Sequence, residues 1–182
     1  TPQISMIGNF IFNGGDIGIE ARSGANLNGS LLYVVDNDSY GILLYDYANA
    51  RVANSVIESK GSASIFLNIG AKLDLKYSSI GSVGSIGLYN NAGNTANVVN
   101  NYWGDEQGPY VPAYLNPPTL GGGATVEWNY INNSKVNYTP YLTSSPIESN
   151  YTESFYLTAG TKSSWDTETG IIFELKGEND IP

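Results

Sequence analysis

The sequence predicts an all-β protein, a parallel β-solenoid of 23-residue coils with a C-terminal β-strand extension. Two observations predict it. From about Gly8 to Trp103 the chain repeats at an offset of 23 residues without an insertion or deletion, and self-similarity at a fixed period of this size marks a solenoid, a propeller or an array. One column reads Ile11, Val34, Ile57, Ile80, Trp103, and a second reads Ile19, Ile42, Ile65, Leu88. Others read Ile17, Tyr40, Ala63, Ile86, then Ala21, Leu44, Leu67, Asn90, then Leu27, Ala50, Leu73, Ala96, then Gly29, Val52, Leu75, Val98. Small residues fill a column of their own at Gly18, Gly41, Ser64, Gly87. Within a period the apolar residues alternate, Ile17, Ile19 and Ala21 around Gly18 and Glu20, and Leu27 and Gly29 around Asn28. That is the two-residue period of a strand, and no window places apolar residues at the helical i, i+3, i+4, i+7 spacing. An antiparallel sandwich has no reason to hold one register through four periods.

Taken in order, residues 1–10 already enter the repeat, with Ile4, Met6 and Phe10 leading into Ile11 and no capping helix or polar lid among them. A first coil of this kind exposes a row of unpaired backbone groups and apolar bore residues, which natural solenoids usually cap. Ile4, Met6 and Phe10 are therefore candidate self-assembly residues, covered either by further chain or by another molecule. Coils follow at 11–33, 34–56, 57–79 and 80–102, cornered by turn sequences such as Asn13-Gly14-Gly15-Asp16, Asp36-Asn37-Asp38-Ser39 and Asn90-Asn91-Ala92-Gly93-Asn94. Stacked about 4.8 Å apart, they make a column only about 20 Å tall. The pattern breaks near residue 100, so residues 1–142 read as the solenoid with its closing coil. Ser144-Ser145-Pro146 then reads as a linker. Residues 143–182 carry two apolar runs outside the register, Phe155-Tyr156-Leu157 and Ile171-Ile172-Phe173-Glu174-Leu175. They fold back as a hairpin, or they add a strand to a neighbouring molecule. Under the second alternative Phe155, Leu157, Ile171, Phe173 and Leu175 join the self-assembly set.

The closing stretch runs Asn100-Asn101-Tyr102-Trp103-Gly104-Asp105-Glu106-Gln107-Gly108-Pro109, a loop over 110–123, then Val136-Asn137-Tyr138-Thr139-Pro140-Tyr141-Leu142. It resembles the terminal coil of the right-handed parallel β-helix superfamily, the pectin-lyase-like and periplasmic copper-protein-like repeat proteins. There the chain closes with a stretch like N-x-W-W-G-x-x-x-G-P, a loop, and V-x-Y-x-P-W-L; Tyr102 and Tyr141 stand here where Trp is commoner. The resemblance covers roughly residues 8–142 and implies a right-handed coil with three parallel sheets. It also brings in polysaccharide lyases and hydrolases, whose sites lie on the outer face of one sheet.

The residues do not supply that chemistry. The chain has no His and no Cys, which removes the His-dependent hydrolase sites, thiolate metal sites and a disulfide framework. The outward column Asn28, Arg51, Asp74, Asn97 sets one acid against one base, an inter-coil ion pair rather than a catalytic pair. Paired carboxylates for glycoside hydrolysis would need to flank a cleft, and the turn residues Asp36 and Asp38 do not. The loop from Asp36 begins like a calcium loop, but Tyr40 and Tyr47 stand where oxygen ligands are required. Gly121-Gly122-Gly123 has no Lys-Ser/Thr after it and is a flexible loop rather than a phosphate cradle. No enzyme activity, cofactor or metal is expected. A net charge of −9 with the eight basic residues scattered excludes a nucleic-acid partner, which needs a basic stripe. No apolar run is long enough to span a membrane.

Five N-x-S/T sequons, at Asn28, Asn37, Asn132, Asn137 and Asn150, are the most legible chemical signal. Asn28 alternates with bore residues and points outward, Asn37 lies in a turn, and the others lie in closing loops and linker. N-linked glycans at these positions would place the protein outside the cell. The Tyr-rich, Cys-free, Asn/Ser/Thr-rich composition resembles surface proteins of thermophilic archaea. The leading expectation is a structural extracellular glycoprotein whose copies join head-to-tail into a homopolymeric filament or surface layer. The alternatives are a carbohydrate-binding module and an adhesin- or tailspike-like recognition piece.

Overall fold

In the computed structural model of the chain, the described residues are 2–147 apart from 9, 13–14, 82–85 and 116–117. The first coil supplies β1 (Gln3–Ile7), β2 (Phe10–Phe12) and β3 (Ile17–Ala21), and the second β4 (Asn26–Ser30), β5 (Tyr33–Asn37) and β6 (Tyr40–Leu44). The third holds β7 (Asn49–Ala53), β8 (Val56–Ser59) and β9 (Ala63–Asn68), the fourth β10 (Lys72–Lys76), β11 (Ser79–Ile80) and β12 (Ile86–Asn91). The closing segment contains β13 (Thr95–Asn97), β14 (Pro109–Val111), β15 (Thr119–Leu120), β16 (Gly123–Trp128), a 3₁₀ turn at Tyr130–Asn132 and β17 (Lys135–Asn137). Like strands stack into three sheets, β1-β4-β7-β10-β13-β17, β2-β5-β8-β11 and β3-β6-β9-β12-β16-β14-β15. Every pairing is parallel except β14 with β15. The chain is a β-solenoid of about four turns, as the repeat predicts.

The register is the 23-residue offset itself. Phe10, Ile11 and Phe12 pair with Tyr33, Val34 and Val35, Val34 pairs with Ile57, and Ile57 with Ile80. Val34, Ile57, Ile80 and Trp103 are wholly buried, as are Ile42, Ile65 and Leu88. Leu44, Leu67 and Asn90, and Leu27, Ala50, Leu73 and Ala96, line the same bore. The column of Ile17, Tyr40, Ala63 and Ile86 departs from the expected alternation. In β6 Gly41 and Ile42 are both buried while Tyr40 and Leu43 are half-buried, so the strand turns a corner at the small column. A Cβ on Gly41 would lie 2.7 Å from the Ser64 carbonyl oxygen, and one on Gly18 2.8 Å from that of Gly41. Backbones approach so closely at this corner that only small residues fit.

The corner between the first and second sheets has its own device. Gly8, Leu31, Asn54, Tyr77 and Asn100 all adopt left-handed φ, between 51° and 65°. The next residues, Leu32, Ser55, Ser78 and Asn101, are buried. A buried backbone N–H must find a partner, and here each finds it one coil on. Leu32 N–H donates to Ser55 Oγ at 3.0 Å, Ser55 N–H to Ser78 Oγ at 3.1 Å, and Ser78 N–H to Asn101 Oδ1 at 2.9 Å. Asn101 ends the ladder by donating from Nδ2 to the Leu75 and Val98 carbonyls, both at 2.8 Å.

The two ends of the column differ. At the closing end Trp103 and Tyr138 are buried and Tyr141 packs against the core, while β14 joins β16 in parallel and β15 joins β14 antiparallel, so that the two strands extend the third sheet. The compact unit containing the solenoid ends at Ile147. At the opposite end β1, β2 and β3 are the outermost strands of their sheets. Residues 148–182 lie outside the described residues, and with them the strands expected at Phe155–Leu157 and Ile171–Leu175.

Candidate functional site

The outer face of the first sheet collects the polar column. Asn28 pairs in register with Arg51, Arg51 with Asp74, Asp74 with Asn97 and Asn97 with Asn137. The expected Arg51–Asp74 ion pair does not form. Asp74 instead meets Lys76 of its own strand at 3.4 Å and accepts from Asn97 Nδ2 at 2.8 Å. The i, i+2 spacing puts Lys76 on the same sheet face as Asp74. Neither partner is buried, so the pair is a surface contact of small energetic weight. Asp36 is likewise paired, with Lys60 at 3.2 Å, and no cluster of three or more His, Cys, Asp or Glu side chains suited to a metal occurs among the described residues.

The sequons separate into accessible and inaccessible ones. Asn28 is exposed between buried Leu27 and Gly29 on β4. Asn137 is exposed on β17, its amide donating to Asn97 Oδ1 at 3.2 Å. Asn132 is half-buried and committed: its Nδ2 donates to Asn91 O at 3.1 Å and Asn91 Oδ1 at 3.0 Å, while its Oδ1 accepts from the Ser134 N–H and hydroxyl. Asn37 corrects the expectation that it lies in an open turn. β5 runs on through it, and Asp36 at φ 60° breaks the register between Val34 and Asn37. The Asn37 side chain swings into the wall, is fully buried, and donates to the Val35 carbonyl. A glycan has no room there. Asn150 lies outside the described residues.

The outer face of the third sheet carries an aromatic ladder that sequence reading missed. Tyr40 and Phe66 stack with centroids 5.3 Å apart, and Phe66 and Tyr89 at 5.5 Å and 7°. The 23-residue pair Phe66 and Tyr89 was the available signal. The stack ties three coils together and covers both faces of the middle ring, Phe66. Beyond them a cavity of about 510 Å³ opens among Tyr114, Trp128, Tyr130, Asn133, Ser134 and Lys135. Partial desolvation first, then the Glu127 carboxylate and the neighbouring Tyr89 and Tyr110, hold the Tyr114 phenol above its ordinary pKa.

Of the candidate self-assembly residues, Ile4, Met6 and Phe10 lie on the first coil, and Phe155, Leu157, Ile171, Phe173 and Leu175 lie outside the described residues. Ile4 is 40 % exposed although it stacks on buried Leu27, and Met6 is partly buried against the core. Phe10 lies on the backbone of edge strand β2. The edge strand β1, Gln3–Ile7, has no charged residue and no proline, the features by which natural sheets blunt an edge. No helix among the described residues is long and apolar enough to cross a membrane. No protein-family model matches the sequence, and no curated protein and no solved structure matches it either.

Proposed function

We propose that this chain is a structural extracellular glycoprotein subunit that associates with its own kind through the open first coil, building a filament or surface layer rather than catalysing a reaction. The observation that carries the reading is strand β1, an outermost strand of the first sheet among the described residues, with no charged residue and no proline and with Ile4 and Met6 only partly covered. Exposed Asn28 and Asn137 on one sheet face support N-linked glycans there, and two resemblances, of the closing stretch to pectin-lyase-like β-helices and of the composition to archaeal surface proteins, belong to this reading. The test is sedimentation and electron microscopy of the full chain at high concentration. Assemblies are expected, and Met6→Asp should disperse them by placing an unpaired carboxylate in the contact. Monodisperse monomers of the unsubstituted chain would sink the proposal. The cavity at Tyr114, Tyr130 and Lys135 favours a second reading, a recognition module for carbohydrate, because Tyr114 and Tyr130 are both well exposed. Saccharide-dependent shifts in Trp and Tyr fluorescence, lost in Tyr130→Ala, would support that reading.

A further inference from the structure

We infer that Glu127 and the tyrosines set around it, Tyr89, Tyr110 and Tyr114, form a binding site for a quaternary ammonium group; neither self-association nor the saccharide reading is needed for it. The topology assembles the site. In the third sheet β16 runs between β12 and β14. Along β16 the outward positions Thr125 and Glu127 alternate with buried Ala124, Val126 and Trp128. Tyr89 lies beside Glu127 in register on β12, and Tyr110 lies beside Thr125 on β14. Tyr89 stands between buried Leu88 and Asn90, and Tyr110 between buried Pro109 and Val111, so both point to the outer face. Tyr114, just past β14, completes the group. Its phenol is held above the ordinary pKa by partial desolvation first, then by Glu127, with Tyr89 and Tyr110 adding to it. All four side chains therefore share one patch.

Ring surface is open to a ligand here. Phe66 stacks on one face of Tyr89, while Tyr110 and Tyr114 are 41 % and 66 % exposed. The charge is unanswered as well: the ion pairs among the described residues are Lys60–Asp36 and Lys76–Asp74, and neither involves Glu127. An aromatic ring attracts a cation to its face, and a carboxylate beside several rings adds a full opposite charge. A quaternary ammonium suits this mixture better than a primary amine. A primary ammonium is strongly hydrated and has three N–H groups to satisfy, whereas methyl groups on nitrogen exchange water for ring contacts at little cost. An inorganic cation such as calcium would want six or more oxygen ligands, and the group holds one carboxylate. An anion would be repelled both by Glu127 and by a chain of net charge −9. Tyr114 also lines the cavity of about 510 Å³, which leaves room for a substituent on the nitrogen.

Choline is the probe, read on the full-length chain by the upfield shift of its N-methyl NMR signal and by saturation transfer from the protein. Saturable binding is expected, and the uncharged carbon isostere, with tert-butyl in place of trimethylammonium, should bind far more weakly. Glu127→Gln and Tyr114→Leu should each weaken choline binding about fivefold or more. Tyr114→Phe keeps the ring and should keep the binding, as should Tyr130→Ala, which lies outside the group. Thermal melting of each variant confirms that it is folded. Co-sedimentation with phosphatidylcholine vesicles separates the two sources of this chemistry: capture by vesicles marks a lipid headgroup, and binding of free choline alone marks a soluble ligand. Binding of neither probe, or equal binding of choline and its isostere, overturns the site. So does choline binding that folded Glu127→Gln and Tyr114→Leu both leave unchanged.

Discussion

Leu31, Tyr47, Ile69 and Tyr77 in the outer corners hold conformations that their side chains disfavour. Leu31 and Tyr77 take the left-handed positions that Gly8, Asn54 and Asn100 occupy in other coils, and both are about half-exposed. A non-glycine residue with Cβ branching beyond it costs about 1–2 kcal/mol there, and Asn tolerates the region better. Leu31→Asn should therefore stabilise the protein by about 1 kcal/mol, raising Tm by roughly 2–4 °C in thermal denaturation. Glu58 offers a second residue-scale test. Partial burial first, and the Asp36 carboxylate second, raise its pKa above the ordinary 4.5. The folded state thus holds this proton more tightly than the unfolded chain. The group favours folding below about pH 4.5 and opposes it as pH rises through the raised folded value. Glu58→Gln should raise Tm at pH 7, and the gain should vanish on acidification to about pH 4. A gain that persisted at acid pH would contradict the assignment.

At the scale of the element, the strands depend on their corners as much as on their bore residues. Exchanging Ile57 or Ile80 for another large aliphatic should cost under about 1.5 kcal/mol, because such a swap keeps the bore filled. Gly41 has no such latitude: besides the Ser64 carbonyl at 2.7 Å, its Cβ would meet Ile57 Cγ2 at 3.2 Å. A backbone oxygen cannot rotate away, so β6 and β9 would have to separate. Gly41→Val should cost about 2–3 kcal/mol, read as a fall in the denaturant midpoint. The same substitution type on the exposed face, Asn28→Val, should change stability by under about 0.5 kcal/mol. Equal effects at the two positions would show that the corner is looser than its geometry.

The described solenoid is uneven around its axis. Around it, the first sheet presents Asn28 and Asn137 while the third presents the Tyr40–Phe66–Tyr89 stack. Asn28 and Asn137 stand four strands apart in the sheet order, about 19 Å at the usual strand spacing. When the chain is made in a host that glycosylates sequons, glycopeptide mapping should find sugar at these two positions. Asn37 should be unmodified in the folded product, since a glycan there would have to displace the core wall. A glycan on Asn37 in protein that melts cooperatively would refute the burial argument.

The sequence by itself determined the solenoid, its coil length, its register and nearly all of its bore. A period of 23 with aliphatic columns has one way to bury its apolar surface, by stacking each coil on the last. It also marked where the repeat ends. What it did not determine are the places where side chains leave the strict alternation. Ser55, Ser78 and Asn101 form a legible column at the 23-residue offset, yet polar residues at a turn look solvated until the fold puts them inside and hands them the backbone of the next coil. Asn37 looked like a turn for the same reason, and only the bulge at Asp36 turned it inward. Asp74 meets Lys76 of its own strand rather than Arg51, its partner in register, a choice the register alone does not make. Period and hydrophobicity are properties of the chain, and they fixed the stack. Which polar groups face water is set by the corners, whose geometry exists only once the coils have closed.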